Sequence, residues 1–474
     1  MFLRTGQPGR SDLLPFSNVS VLSLAILGAA LTFLLLVLNF PPTDIAVVAA
    51  FLVGCAILWW IPPLQSFPTA PKLVLIFFAL RPILDAALSK DVHRSTLPLQ
   101  NIFAVSTAIV LLFFGRRLVP RLVKEFPSNV LIALLALTGL AWLVGGLGAG
   151  VYGFLRTSWG LLVALLLGAL LQTERQIEIF IRTLFYSSFF VLAILAFNLK
   201  EGEYIGNVWR VTGQFGVATT LAEVCFSLFL LGLYTIKHVQ TSSEKLITIC
   251  LLLFLVLAIV LTQSRTIGGL LVLCIFLWLW VEGHRRAVYG LALCLALAIA
   301  GVVLSSSLSS QSRIASSVSF QQKELSEDVI NLTGRTFLWA KTLEQFASAN
   351  AVHKIIGLGW GTVFANFETF GYELSSVTEN SFLWFLVGSG ILGLLAFSTY
   401  LACAISRSWR AWHRADSEFE RRLSLLAFLV GLAFLIEGFT TDLVLSPVAS
   451  SYLYAILSIF MFRSQKRFAL KVVR

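Results

Sequence analysis

The chain of 474 residues is 58% hydrophobic and only 12% charged, with a mean hydropathy of +0.87. That balance excludes an ordinary soluble enzyme and makes lipid the solvent for most of the sequence. The formal net charge of +11 would point to nucleic acid in a soluble chain. In a membrane protein the distribution of Lys and Arg over the loops carries the meaning instead.

Residues 1–16 are polar and no small-residue cleavage site follows the first apolar run, so the first helix is expected to be retained. A helix crossing the hydrocarbon core needs roughly 20 apolar residues, and about fourteen such stretches can be laid along the chain. They fall at 20–40, 43–61, 72–88, 97–115, 128–147, 155–172, 177–197, 217–236, 245–263, 266–282, 287–306, 381–405, 423–443 and 450–462. The expected fold class is an all-α polytopic membrane protein of about 12–14 transmembrane helices. Its parts are N-terminal membrane helices over 1–306, an outward-facing loop domain over 307–380, and C-terminal membrane helices with a basic tail over 381–474.

With the N-terminus inside, the segments expected in the cytoplasm hold twice as many Lys and Arg as those expected outside. They include Arg116, Arg117, Arg121 and Lys124, the basic residues of 407–422 and those of the tail. This satisfies the positive-inside rule with both termini cytoplasmic and turns the 307–380 loop outward. The basic excess is then topological and implies no nucleic acid. All six cysteines fall within expected spans, where each reads as a small apolar packing residue, and the five histidines show no metal-ligand spacing. Neither a disulfide framework nor a protein-bound metal is expected.

A charge near the bilayer centre costs about 2.5–3.5 kcal/mol even on lenient scales, so ionisable residues inside spans need a reason. Arg81 and Asp85, in the outer half of the third span, are four apart on one helical face, as a structural ion pair would be. Arg156 begins the sixth span from outside, Glu223 lies early in the eighth and Arg265 ends the ninth. Glu437 and Asp442 approach the outer end of the thirteenth, and only Glu178 and Arg182 lie near the inner side. Arginines converging on one membrane face suit a doubly anionic head group such as a lipid pyrophosphate, which Arg grips bidentately.

Four motifs fall on that face. Trp209-Arg210-Val211-Thr212-Gly213-Gln214-Phe215 lies in a polar loop before the eighth span, and Thr262-Gln263-Ser264-Arg265-Thr266-Ile267-Gly268-Gly269 is a polar break between two apolar helices. Thr333-Gly334-Arg335-Thr336-Phe337-Leu338-Trp339 opens a short amphipathic helix in the long loop, with Trp339 and Phe346 on its apolar side. Gly357-Leu358-Gly359-Trp360-Gly361 is followed by Glu379-Asn380, before a helix carrying Gly388-Ser389-Gly390-Ile391-Leu392-Gly393, whose glycines suit close helix packing.

In this order, over about residues 200–400, these segments resemble the bacterial O-antigen ligase and Wzy polymerase superfamily, with its Ser-Arg break, large periplasmic loop and Gly-x-Gly motif. The resemblance implies an enzyme that takes a glycan from undecaprenyl pyrophosphate at the periplasmic face and joins it to another lipid-linked acceptor, with no cofactor, nucleotide sugar or metal. It implies a polysaccharide assembly system as its setting, with a chain-length regulator and a flippase as candidate partners. The family's functional arginines map onto Arg210 and Arg265, with Arg335 a third. The position before Asn380 is Glu379, where the ligases have histidine, and the reading therefore leans to polymerase over ligase. A carboxylate there would receive the acceptor proton. Arg81, Arg156, Asn380 and His353 join Trp339 and Trp360 as candidates for substrate contact, and Trp209 and Tyr372 offer further flat faces to sugar rings. A transporter of a small anion such as bicarbonate would place its polar groups near the midplane at broken helices in repeated halves, whereas these crowd the outer face.

Overall fold

The computed structural model describes residues 128–145, 335–360 and 380–472 apart from 441–446, with a few positions in 72–79 and 286–290. It also describes 150–284 apart from 172, 198, 201, 206, 207 and 213–217. The helices are α1 (Ser128–Val144), α2 (Gly150–Leu170), α3 (Glu174–Tyr186), α4 (Ser188–Phe197), α5 (Ala218–Thr235), α6 (Ser242–Thr262) and α7 (Arg265–Val281). After them come α8 (Arg335–Ser348), α9 (Ala351–Ile356), α10 (Ser381–His413), α11 (Glu418–Thr440) and α12 (Pro447–Val472). Between α4 and α5 lies a hairpin, β1 (Gly202–Ile205) and β2 (Val208–Val211).

Six segments among the described residues are long and apolar enough to cross a membrane: Gly153–Leu170, Glu174–Ala196, Ala218–Thr235, Ser242–Thr262, Ser381–His413 and Glu418–Thr440. The protein is a helical polytopic membrane protein, as expected. Apart from the few positions in 72–79 and 286–290, the spans expected before residue 116 and at 287–306, with Arg81, Asp85 and the loop stretches 307–334 and 361–379, lie outside the described residues.

Three departures from expectation have physical causes. The seventh expected span is two helices, α3 and α4, joined at Ser187, whose hydroxyl donates to the Leu184 carbonyl at 2.6 Å. The fourteenth, short in hydropathy, is the 26-residue α12. Hydropathy registers only its apolar part, whereas the helix continues through Arg463, which pairs with Glu174 and lies over the Phe419 ring. The polar loop before α5 is an antiparallel hairpin in which Glu203 stands opposite Arg210 and Tyr204 opposite Trp209. The all-α fold class stands, with this short hairpin the one sheet among the described residues; β-branched and aromatic residues on both strands suit the pairing.

Among the described residues the membrane helices alternate in direction except for α7 and α10, which run in the same sense, and this gives the bundle two faces. One collects the helix ends near 144–150, 262–265, 335–360, 380 and 440–447, and is called the loop face below. The other collects those near 170–174, 235–242, 281–284 and 413–418, with Arg175, Lys237, Lys245, Arg407, Arg410, Arg414, Arg421, Arg422 and Arg463 at or near it, and is called the basic face.

Helix packing follows membrane rules, in which small residues let helices approach closely. Gly160, Ala164 and Gly168 repeat every four residues on α2. A Cβ at Gly160 would meet the Tyr454 ring at 2.8 Å and one at Gly168 the Phe462 ring at 2.3 Å, so α12 lies directly on this stripe. The basic face is laced by ion pairs between elements. Arg182 joins Glu178 and Glu244, Lys237 meets Glu282 at 2.7 Å, and Arg422 bonds the Lys237 carbonyl at 2.8 Å. Glu178 and Arg182, the two charges expected near the inner side, are thus structural there.

Candidate functional site at the loop face

The hairpin and the α6–α7 turn form one unit. Arg210 is buried on β2, and its Nε donates to the Thr262 carbonyl at 2.8 Å, where α6 ends. Gln263, in the left-handed conformation at φ 51°, turns the chain and reaches back with its amide to the Trp209 carbonyl at 3.4 Å. Thr262 Oγ1 accepts from the Ser264 N–H at 3.3 Å, and Arg265 then begins α7 with its side chain exposed. Two motifs more than fifty residues apart are thereby locked together. One arginine is held by the backbone, and the other stands at a helix N-terminus beside it. The Trp209 ring covers Gly202, where an added Cβ would lie 2.3 Å from it.

A second unit is the start of α10. Asn380 is buried as its N-cap: its Oδ1 accepts from the Phe382 and Leu383 N–H groups at 2.9 and 3.0 Å, while its Nδ2 donates to the Phe439 carbonyl at 3.2 Å. The side-chain amide therefore ties the start of α10 to the end of α11. Just below, on adjacent α5 and α11, Glu223 and Glu437 are buried and near enough to act on one another electrostatically, with Cys274 of α7 also within reach of Glu437. The sequence singled out both carboxylates one by one, and their proximity emerges only from helix packing.

The third unit is the Gly-x-Gly motif. Trp360 is fully buried, stacked on Trp384 at 4.8 Å between ring centroids, and its indole N–H donates to the Thr138 carbonyl of α1 at 2.9 Å. The expectation that Trp360 offers a face to sugar rings is corrected accordingly: the ring is interior packing. His353 is half-buried on α9, with its N–H capped by Asn350 Oδ1 at 2.9 Å. Trp339 is half-buried on α8, Arg335 is the first residue of α8, and Arg156 lies on α2. The candidate base Glu379, with Arg81 and Tyr372, lies outside the described residues. Among the described residues no group of His, Cys, Asp and Glu is arranged to hold a metal ion.

The fold defines a polytopic helical membrane protein whose loop face carries Arg210 and Arg265 together at the α6–α7 turn. Residues 250–398 match the family model described as Wzy_C, O-antigen ligase. This match, over about a third of the chain, supports the resemblance of that region to the O-antigen ligase and Wzy superfamily. The matched segment takes in most of α6, all of α7, α8 and α9, and α10 as far as residue 398; it includes Arg265, Arg335, Trp339, His353, Trp360, Glu379 and Asn380, but not Arg210, Arg156 or Arg81. No curated protein matches the sequence significantly.

Proposed function

We propose that the protein polymerises undecaprenyl-pyrophosphate-linked oligosaccharide repeat units at the periplasmic face of the inner membrane, in the biosynthesis of a cell-surface or secreted polysaccharide. The observation that carries this reading is the bond from Arg210 to the Thr262 carbonyl, which sets Arg210 beside the Ser264-Arg265 turn inside the family-matched region. Two guanidinium groups at one membrane face form a receptor for a pyrophosphate.

In this reading the loop face is periplasmic and the basic face cytoplasmic, which agrees with the positive-inside rule. Arg210 and Arg265 bind the donor pyrophosphate and offset the negative charge that grows on it as the bond between the sugar anomeric carbon and the phosphate oxygen breaks. The acceptor hydroxyl of the incoming lipid-linked unit forms the new bond to that carbon, and Glu379 takes its proton. Undecaprenyl pyrophosphate leaves. A free Glu with its pKa near 4.3 is ionised at neutral pH and a weak base unless partial burial raises its pKa. No metal or cofactor enters these steps, and a chain-length regulator and a flippase are the proposed partners.

The test is the surface polysaccharide length profile and lipid-linked repeat pool of a strain lacking the protein, complemented with wild type, Arg265→Ala or Glu379→Ala at matched membrane abundance. Loss of long chains with single repeats accumulating is the expected result. Intact long chains stranded on the carrier lipid assign a ligase instead, and unchanged glycans in the deletion strain overturn both.

A further inference from the structure

We infer that residues 351–360 form a re-entrant segment seated within the membrane, whose outward side contacts the lipid hydrocarbon, so that this part of the long loop is not a water-exposed domain. The inference stands on geometry alone and does not depend on the proposed reaction.

Depth is the first argument. The apolar part of α10 runs from Phe382 to Ile405 before the basic stretch that begins at Arg407. At about 1.5 Å per residue, Gly390 lies about 24 Å from that basic end, inside a core of about 30 Å. There α10 is interrupted: Gly390 has φ 71° and ψ −170°, which no ordinary helix contains.

The interruption is filled by the loop. Leu358 N–H donates to the Val387 carbonyl at 2.7 Å and Gly359 N–H to the Gly388 carbonyl at 3.2 Å, so backbone pairs with backbone. A Cβ on Gly390 would meet the Ile355 carbonyl at 2.2 Å, and one on Gly357 (φ 94°) would meet the Gly388 carbonyl at 2.1 Å. A Cβ on Gly359 would strike Gly145 at 2.2 Å, at the end of α1. These glycines let the segment wedge between α1 and α10. Hydrocarbon cannot solvate backbone groups, and irregular backbone persists at membrane depth only where protein satisfies it. The short helix α9 meets that demand. His353 N–H is capped by Asn350, Lys354 N–H bonds the Asn350 carbonyl at 3.0 Å, and Gly357 N–H bonds the His353 carbonyl at 2.8 Å.

The outward surface identifies the occupant. On α9, Val352 and Ile355 are 61% and 50% exposed, one turn apart. Immediately beyond the break, Ile391, Leu392 and Leu395 of α10 are 43%, 44% and 56% exposed. The two apolar surfaces adjoin at the contact between Ile355 and Gly390, so the lipid-facing side of α10 continues onto α9. The half-buried Lys354 has a side chain long enough to carry its charge to the interface.

The test places a nitroxide label on single cysteines, Val352→Cys and Ile355→Cys, in a variant whose native cysteines are replaced by alanine, reconstituted in phosphatidylethanolamine–phosphatidylglycerol nanodiscs. Collision rates are read with oxygen, which concentrates in lipid, and with a water-soluble nickel chelate. Leu395→Cys is the lipid reference and Ser348→Cys the water reference. Oxygen-to-nickel ratios at both α9 positions near that of the lipid reference, and several-fold above the water reference, are expected. Ratios matching the water reference overturn the inference. A label-free measurement backs this up: Val352→Lys and Ile355→Lys are expected to lower folded protein in the membrane as Leu395→Lys does, whereas Ser348→Lys does not. Equal accumulation of all four overturns it as well.

Discussion

Replacing Gly390 by alanine probes how the long loop is joined to the membrane bundle. Alanine favours the helix over glycine by about 1 kcal/mol, so in a regular helix the change would stabilise. At Gly390 the sign reverses. Holding a non-glycine residue at φ 71°, ψ −170° costs on the order of 1–3 kcal/mol, because that region is open essentially to glycine alone. The new methyl would also lie 2.2 to 2.5 Å from the Ile355 carbonyl and the Gly357 nitrogen, backbone atoms that move only with their segment. Forcing atoms into a packed site costs a further 1–3 kcal/mol or so, giving a loss of about 2–6 kcal/mol. Gly268 and Gly269 are the control: both lie in α7 with nothing within 4 Å of an added Cβ, and alanine there should be neutral or stabilising by up to about 1 kcal/mol each. Thermal unfolding of the purified variants in nanodiscs, followed by tryptophan fluorescence, should place Gly390→Ala several degrees below wild type and Gly268→Ala at or above it. A Gly390→Ala midpoint equal to wild type, or an equal fall for Gly268→Ala, refutes the wedge geometry.

Trp360→Phe should cost about 1–2 kcal/mol, by losing the bond to the Thr138 carbonyl and part of the stack on Trp384; the same melts check it, with Trp339→Phe expected to shift less. Gly168→Leu should prevent stable packing of α12 on α2, because the Phe462 ring occupies the space, and should sharply lower membrane accumulation, whereas Gly290→Leu, with open space around it, should not. Burial holds the His238 imidazole below its usual pKa, against the opposing bond to the Tyr234 carbonyl. The unfolded chain therefore binds the proton more readily, so stability is full above the unfolded value of about 6.5 and falls as the pH drops through it. His238→Gln should flatten the thermal midpoint between pH 7 and 5; an unchanged slope assigns the acid sensitivity elsewhere.

The spans were legible because lipid demands unbroken apolar runs of fixed length. The expected 217–236 and 245–263 are the observed Ala218–Thr235 and Ser242–Thr262, within three residues at each end. Where charge pairs across the fold, hydropathy stops short: the reach of α12 past Arg463 depends on Glu174, almost three hundred residues earlier. The arginine motifs were visible as motifs, and their chemistry suggested a common face, but the bond that joins them spans 52 residues and has no local signal. The glycine motif was misread in part for the same reason. Gly388 and Gly390 suggested close helix packing; Gly390 instead admits the loop backbone at Ile355 and Gly357, and Gly388 admits the Trp360 ring, which is consumed in that joint. Asn380 carried a readable signal, since Asn two residues before an apolar run is a common N-cap, yet its second bond to Phe439 could come only from the packing of α10 on α11.

The most direct test of the proposed reaction is to reconstitute the purified protein in liposomes with undecaprenyl-pyrophosphate-linked repeat units and follow glycan length on the carrier lipid. Wild type should build chains longer than one repeat, and folded Arg265→Ala should lose about a hundredfold or more of that rate, the scale of removing a group that stabilises developing charge. No elongation by wild type, or an Arg265→Ala rate equal to wild type, would contradict it.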